Sequence, residues 1–241
     1  PNPGLPMIAI PTTAGTGSEA TPVAILSDEA EHLKKGVVSR YLFPSLALLD
    51  PALTTGLPPA VTAFTGMDAL IHAMEAFTSL NANSLTDHLA FRAIELTSGN
   101  LLTAYANGNN LDARSKMLEG SLLAGMAFAN AGVTAVHAFA YPIGGEFHHI
   151  CHGLSNAIML PHVFRFNMLG NLPKFAQIPL AMGLPVEGMT GRGAAEEMLR
   201  FIEELMNDLN ITRKLRDLQV PEDAIPRMAE GVLKVTRLLA N

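Results

Sequence analysis

Gly66-Met-Asp-Ala-Leu-Ile-His-Ala-Met-Glu-Ala-Phe77 is the run on which the reading of this chain turns. It predicts a helix, and within it Asp68 and His72 stand four residues apart, so both side chains leave one face about one turn apart. That is a bidentate metal-binding geometry. A carboxylate at Asp68 would be costly to bury unpaired, and Lys and Arg partners are scarce nearby, so a divalent cation is the simplest partner that both groups can share. His137 and His152 complete the expected set of four donors. A histidine taken alone on an apolar helix is more often a hydrogen-bonded core residue than a ligand; the combination argues for a metal. Imidazole and carboxylate donors together admit Fe2+, Zn2+ or Mn2+, and ligand type alone does not choose among them.

The surroundings of this helix set the class of protein. The chain has 241 residues, of which 49% are hydrophobic and 16% charged, the latter well below the roughly 25% typical of soluble domains. Much of it is therefore interior or interface, and a homo-oligomer is expected. A net charge of −6 without any Lys/Arg block excludes a basic footprint for nucleic acid. The single cysteine, Cys151, rules out an internal disulfide and suits a reducing compartment, so a cytoplasmic location is expected. From Gly120 to Gly145 there is no Asp, Glu, Lys or Arg. Asn130, His137, Tyr141, Pro142 and five glycines in that stretch predict two buried core helices broken at Ala131-Gly132, with no membrane span.

The first fifty residues differ in texture from the rest. Leu5–Ile10, Pro22–Ser27 and Leu46–Asp50 read as short strands linked by turns. Beyond Asp50 apolar residues recur at three- and four-residue spacing, predicting helices over 59–78, 85–106, 111–130, 133–140, 153–167 and 192–209, then helical pieces near 211–218 and 222–239. Asn110 reads as an N-cap, Pro221 as a helix start, and Gly108 and Gly183 as helix stops. Glu196, Glu197, Arg200, Glu203, Glu204 and Asp208 read as a solvated face. The expected fold is mainly α, a helical bundle over 51–241 preceded by a short-strand segment over 1–50. Both ends read as cut, and a fragment of a longer protein is expected.

Five motifs follow one another over about the first two-thirds of the chain: Ile10-Pro-Thr-Thr-Ala-Gly-Thr-Gly-Ser-Glu-Ala-Thr21, Asp50-Pro-Ala-Leu-Thr54, Gly66-Met-Asp-Ala-Leu-Ile-His-Ala73, His137-Ala-Phe-Ala-Tyr-Pro-Ile-Gly-Gly145 and His152-Gly-Leu-Ser-Asn-Ala157. In this the chain resembles the iron-containing (group III) alcohol dehydrogenase family. The resemblance implies the helical domain of a dehydroquinate synthase-like fold, with Asp68, His72, His137 and His152 binding iron, or zinc in its place. It implies a loop at the nicotinamide end of NAD or NADP carrying Thr12, Thr13, Thr16 and Ser18, with Lys35 near the cofactor ribose and Phe128 on the substrate pocket wall. Gly15 and Gly17 independently suit that loop, since glycine permits positive φ and close backbone approach. The implied reaction is hydride transfer between a small alcohol and its aldehyde or ketone, and the segment 1–50 is the remnant of a cofactor domain.

Two departures from the family pattern bear on the site. The last histidine usually falls fourteen residues after the third ligand, where this chain has Cys151; His152 is favoured because Gly153-Leu-Ser-Asn-Ala157 follows in register, with His149 and Cys151 as substitutes. Many relatives carry His four residues after the third ligand, where this chain has Tyr141, a phenol able to donate or accept a hydrogen bond but titrating near 10. The upstream α/β dinucleotide domain with its glycine-rich pyrophosphate loop is missing from these residues, so weak NAD(P) binding and little turnover are expected of this polypeptide alone. Phe128, Phe139, Phe147 and Met126 suggest an apolar substrate pocket. A maleylacetate reductase-like enzyme without metal, a dehydroquinate synthase-like lyase and a non-catalytic helical interaction module are the alternatives.

Overall fold

Residues 4–28, 33–212 and 214–239 are described by the structure, a computed structural model, with the side chains of 27, 28 and 33–35 left aside. Helix α1, Pro59–Thr78, lies at the centre and packs against α2 (Ser84–Ala106), α3 (Leu111–Ala131) and α5 (His152–Asn167). It is apolar on nearly every side, as a helix with no face toward water must be. Met67, Leu70, Ile71 and Met74 are 0% exposed, and each such side chain contributes about 1.5–3 kcal/mol on burial. The polar exceptions in its buried central turns, Asp68, His72 and Glu75, fall on one stripe.

The helix ends follow local chemistry. Asn83 and Thr86 form a reciprocal capping box at the start of α2, and the Asn110 side chain accepts the Ala113 N–H at 3.0 Å, the cap that the sequence predicts for α3. Between α3 and α4 (Ala135–Glu146) the chain turns by 102° through Gly132, at φ 80°. The predicted break at Ala131-Gly132 is therefore real. No single described helix is long and apolar enough to cross a membrane; α3 and α4 would pass that test only as this bent pair. The short helices α6 (Leu172–Phe175) and α7 (Ile178–Ala181) lead to α8 (Gly191–Asp208), whose Glu197, Arg200 and Glu204 form the expected solvated ion-paired face. Helices α9 (Ala224–Leu233) and α10 (Thr236–Leu239) complete the bundle.

Several predicted elements come out differently. Strand β1 is only Ile8–Ala9 and pairs in parallel with β4, Leu46–Ala47; β2, Val23–Asp28, pairs antiparallel with β3, Leu33–Val38. Strand β3 contains Lys34, Lys35 and Gly36 and shows no alternation, so its pairing with β2 rather than its own pattern makes it a strand. Helix α4 continues to Glu146 through Pro142, Gly144 and Gly145 because packing on α5 and α9 outweighs those breakers. Pro221 precedes α9 by three residues and its carbonyl accepts the Ala224 N–H at 3.1 Å, a turn rather than a helix start. The piece near 211–218 is a 3-10 turn, Leu215–Leu218.

Two backbone approaches bring the distant segments onto the central helices. Gly17, at φ 58°, sits so close to α3 that a Cβ there would lie 2.7 Å from the Gly125 Cα. Only glycine satisfies both the left-handed conformation and the contact. At Gly153, in the first turn of α5, a Cβ would lie 2.1 Å from the Phe64 carbonyl oxygen of α1. Gly153→Ala should therefore destabilise by about 1–3 kcal/mol or more. Gly99→Ala, on an exposed turn of α2 with open space around it, should stabilise by about 0.5–1 kcal/mol. Urea unfolding of the two variants beside the wild type checks the opposite signs.

Candidate metal centre

Asp68, His72 and His137 each offer a donor atom within 4.8 Å of the others, and all three are buried. The two imidazole Nε2 atoms lie 2.9 Å apart, and His137 Nε2 and His152 Nε2 each lie 3.9 Å from Asp68 Oδ1. The outer nitrogens of the first two rings are already engaged. His72 Nδ1 lies 3.2 Å from the Gly15 carbonyl oxygen, and His137 Nδ1 bonds to Glu75 Oε2. A carbonyl or a carboxylate only accepts, so each Nδ1 carries a proton, and when both rings are neutral each Nε2 presents a lone pair to the other.

With neutral rings the centre thus holds a surplus of acceptors. Asn156 Nδ2 lies 2.7 Å from Asp68 Oδ1 and 3.2 Å from both His137 Nε2 and His152 Nε2. Its two hydrogens cannot satisfy a carboxylate oxygen together with the lone pairs of neutral His72 and His137, and its own buried Oδ1 has no hydrogen-bond partner. A cation meets such a surplus; bonds of about 2.0–2.2 Å to one centre set tetrahedral donors roughly 3.4 Å apart, within the spread seen here. The residues present fit a divalent metal.

A cavity of about 630 Å³ opens on this cluster. Among the residues lining it are Thr16, Ser18, Asp68, His72, Phe128, His137, Tyr141 and His152, with Val23, Ile25, Val38 and Leu238 supplying apolar wall. Phe128 stacks on His72 at 4.4 Å between centroids, and the Tyr141 ring is 6.4 Å from that of His152. Thr12 and Thr13 precede this wall in the loop and do not line the cavity; Gly15 contributes its carbonyl and a close approach to Thr65, without positive φ. Met126, Phe139 and Phe147 do not line it either. The Lys35 side chain lies outside the described residues. His149 turns away, its Nε2 2.9 Å from the Leu218 carbonyl oxygen, and Cys151 is an exposed residue at the N-cap of α5.

Sequence reasoning missed two residues of this centre. Glu75 falls seven residues after Asp68 and three after His72, on the same helical stripe, and that periodicity was signal enough. Asn156 stands four after His152, repeating the Asp68–His72 spacing, but an amide on a helix carries no chemical signature until its neighbours are known.

A mainly helical domain with a carboxylate and three imidazoles converging beneath a glycine loop defines a metal-centre architecture, and comparison with known proteins gives its family. The family model "Fe-containing alcohol dehydrogenase family, C-terminal" matches residues 62–241, and "Iron-containing alcohol dehydrogenase" matches residues 1–51. The chain belongs to the iron-containing alcohol dehydrogenase family. It is 45% identical over 240 residues to a 1,3-propanediol dehydrogenase of Klebsiella pneumoniae, covering 100% of this chain and 62% of that protein. The crystal structure of a 1,3-propanediol oxidoreductase superposes with a TM-score of 0.94 at 46% identity, over 97% of this chain and 61% of the other. A sulfoacetaldehyde reductase from Bifidobacterium kashiwanohense, solved in complex with NAD+, gives 0.83 at 35% identity, over 96% and 59%. The chain thus spans about three-fifths of the length of these relatives.

Burial and mutual charge decide the protonation states. Burial pushes Asp68 up, but the three histidines and the Asn156 amide outweigh it and hold the carboxyl below its usual range. Glu75 follows the same pattern, burial being outweighed by His137 and by hydrogen bonds from Thr134 and Val136. His137 is raised: burial lowers it, and the Glu75 carboxylate beside it more than reverses that. His72 goes the other way, pushed by burial from 6.5 to about 4. Between those values the unfolded chain takes up a proton at His72 that the folded one does not, so this group's contribution is present above about 6.5 and is lost as pH falls toward 4. In metal-free protein the stability of the wild type relative to His72→Gln should therefore fall by on the order of 3 kcal/mol from pH 7 to pH 4. Urea unfolding at both pH values measures it; a difference independent of pH contradicts it.

Proposed function

We propose that Asp68, His72, His137 and His152 together bind one divalent metal, Fe2+ by the habit of the family with Zn2+ as the chemical alternative. We propose further that the complete protein interconverts a small alcohol and its aldehyde or ketone with NAD or NADP. The observation that carries this reading is the pair of imidazole lone pairs held 2.9 Å apart beside a buried carboxylate. A metal ion relieves that arrangement without turning a ring whose outer nitrogen is already bonded, and it takes the place of the second proton that His137 otherwise draws in beside Glu75. The NAD+ bound to the bifidobacterial relative supports the choice of cofactor.

When bound, the metal would supply a Lewis acid for the substrate oxygen, and the dinucleotide the acceptor or donor of hydride. The chain's own residues do the rest. Gly15 and Glu75 aim two imidazoles, and Phe128 stacked on His72 closes one wall and limits the water around it. Tyr141 is raised above its usual pKa by burial, so at neutral pH it keeps its proton and serves as a hydrogen-bonding phenol rather than a base. Thr16 and Ser18 present hydroxyls on the cavity wall, with Ser18 Oγ donating to Thr16 Oγ1 at 2.7 Å, a surface suited to the nicotinamide end of the cofactor. The family resemblance extends that cofactor site to Thr12, Thr13, Gly15, Gly17 and Lys35. The apolar wall suits a short alcohol.

This reading divides the chain into 1–50, a remnant of the cofactor domain, and 51–241, the helical metal and substrate domain, which the separate family matches support. Leu5, Ile8, Phe43 and Leu46 are 94%, 61%, 46% and 53% exposed, which supports packing of the first segment against further chain. This polypeptide alone would then hold NAD(P) weakly. A cytoplasmic location and homo-oligomeric assembly belong to the same reading, supported by the single cysteine and by exposed Leu80, Leu85 and Phe166.

In the complete protein, His152→Ala should lower metal affinity by more than the roughly 10–100-fold typical of losing an outer partner, and abolish alcohol-dependent NAD(P)H formation. His149→Ala and Cys151→Ser should keep both. Metal content of the purified variants, with rates on a panel of short alcohols, makes the comparison; retention of metal by His152→Ala together with its loss from Cys151→Ser would reassign the fourth donor.

A further inference from the structure

We infer that Glu75 is a positioning residue for the metal: its bond to His137 Nδ1 holds that imidazole in the tautomer whose Nε2 faces Asp68 and His72. The inference rests on the metal reading above and adds a residue that itself touches neither metal, substrate nor cofactor.

Glu75 lies on α1 at 0% exposure, and both of its carboxylate oxygens are committed. Oε1 accepts the Thr134 N–H at 3.1 Å, the Thr134 hydroxyl at 2.5 Å and the Val136 N–H at 2.8 Å. Thr134 is the N-cap of α4 and caps it with no side chain of its own, so the carboxylate of α1 serves as the cap of α4 from another helix. Free N–H groups at a helix start favour an anion. One side chain therefore anchors the helix that carries His137 and, through Oε2, the ring itself.

The chemistry of the acceptor sets the tautomer. A carboxylate has no hydrogen to give, so Nδ1 must hold a proton, and in the neutral ring, the form that binds a metal, Nε2 is left with its lone pair. A glutamine at this position keeps one oxygen for the three donors from Thr134 and Val136, but turns its NH2 toward Nδ1. Nδ1 must then accept, the proton moves to Nε2, and the nitrogen that faces Asp68 and His72 can bind a metal only by giving up that proton and the new hydrogen bond. Glu75→Gln is thus nearly neutral in shape and opposite in proton logic.

The test uses the complete protein and Zn2+ in competition with a chelator of known affinity. Wild type should bind Zn2+, and Glu75→Gln should bind it about 10–100-fold more weakly while keeping its helical circular dichroism. In a His137→Ala background the same substitution should change Zn2+ affinity by less than about twofold, because Glu75 acts through that ring. Equal affinity of Glu75→Gln and wild type overturns the inference, as does an equal loss in the His137→Ala background. Failure of the wild type to bind Zn2+ overturns the metal reading beneath it, a distinguishable result. Should Glu75→Gln not fold, Zn2+-loaded wild type labelled with 15N-histidine decides: for the resonance lost in His137→Ala, a protonated Nδ1 with a metal-shifted Nε2 supports the inference, and the reverse pattern overturns it.

Discussion

A helix with no face toward water has to settle every polar group it carries by means of its neighbours, and α1 carries three on one stripe: Asp68, His72 and Glu75 at 3%, 6% and 0% exposure. The rest of the centre can be read as the answer to that constraint. Helix α4 brings His137 and two backbone N–H groups to Glu75, α5 brings Asn156 and His152 to Asp68, and the glycine loop brings a carbonyl to His72. After those bonds are made the outer nitrogens of His72 and His137 are engaged, and the inner edge, with neutral rings, still has more acceptors than donors. A network of this kind in a low-dielectric interior is stable only when completed.

Close backbone approach makes that convergence possible. Gly17 against Gly125 sets the loop on α3, and Gly153 against the Phe64 carbonyl sets the start of α5 on α1. Each contact excludes even a methyl group, so the glycines hold the donor-bearing segments within hydrogen-bonding reach of α1. The cavity that results is polar where the imidazoles lie and apolar along β2 and β3, with Arg237 and Leu238 of α10 both on its wall. The proposed small-alcohol substrate rests on that combination of polar and apolar wall.

How much of this was legible beforehand depended on periodicity. Asp68 and His72 stood out because a four-residue spacing on a helix is a geometric statement needing no tertiary knowledge. Glu75 lies in the same run and obeys the same arithmetic, yet a glutamate on a helix is usually a solvated one, and its burial comes only from packing of α2, α3 and α5 around α1. The extra residue in Phe147-His-His-Ile-Cys-His152 left three candidate donors in register. Only the turn before α5, which sends His149 toward Leu218 and leaves Cys151 at an exposed cap, separated them in space. Strand β3 and the far end of α4 were unreadable for a related reason: partner segments impose their conformation against local preference.

The linear order of residues alone determined the helical class, the break at Gly132, the capping of α3 and the family, because each depends on local pattern or on motifs that survive as strings. What only the tertiary structure decided was which polar groups are buried together and which ring nitrogens of His72 and His137 face outward acceptors and which face each other. Those follow from contacts between residues as far apart as Gly15 and His72 or Glu75 and His137, and no short-range rule contains them.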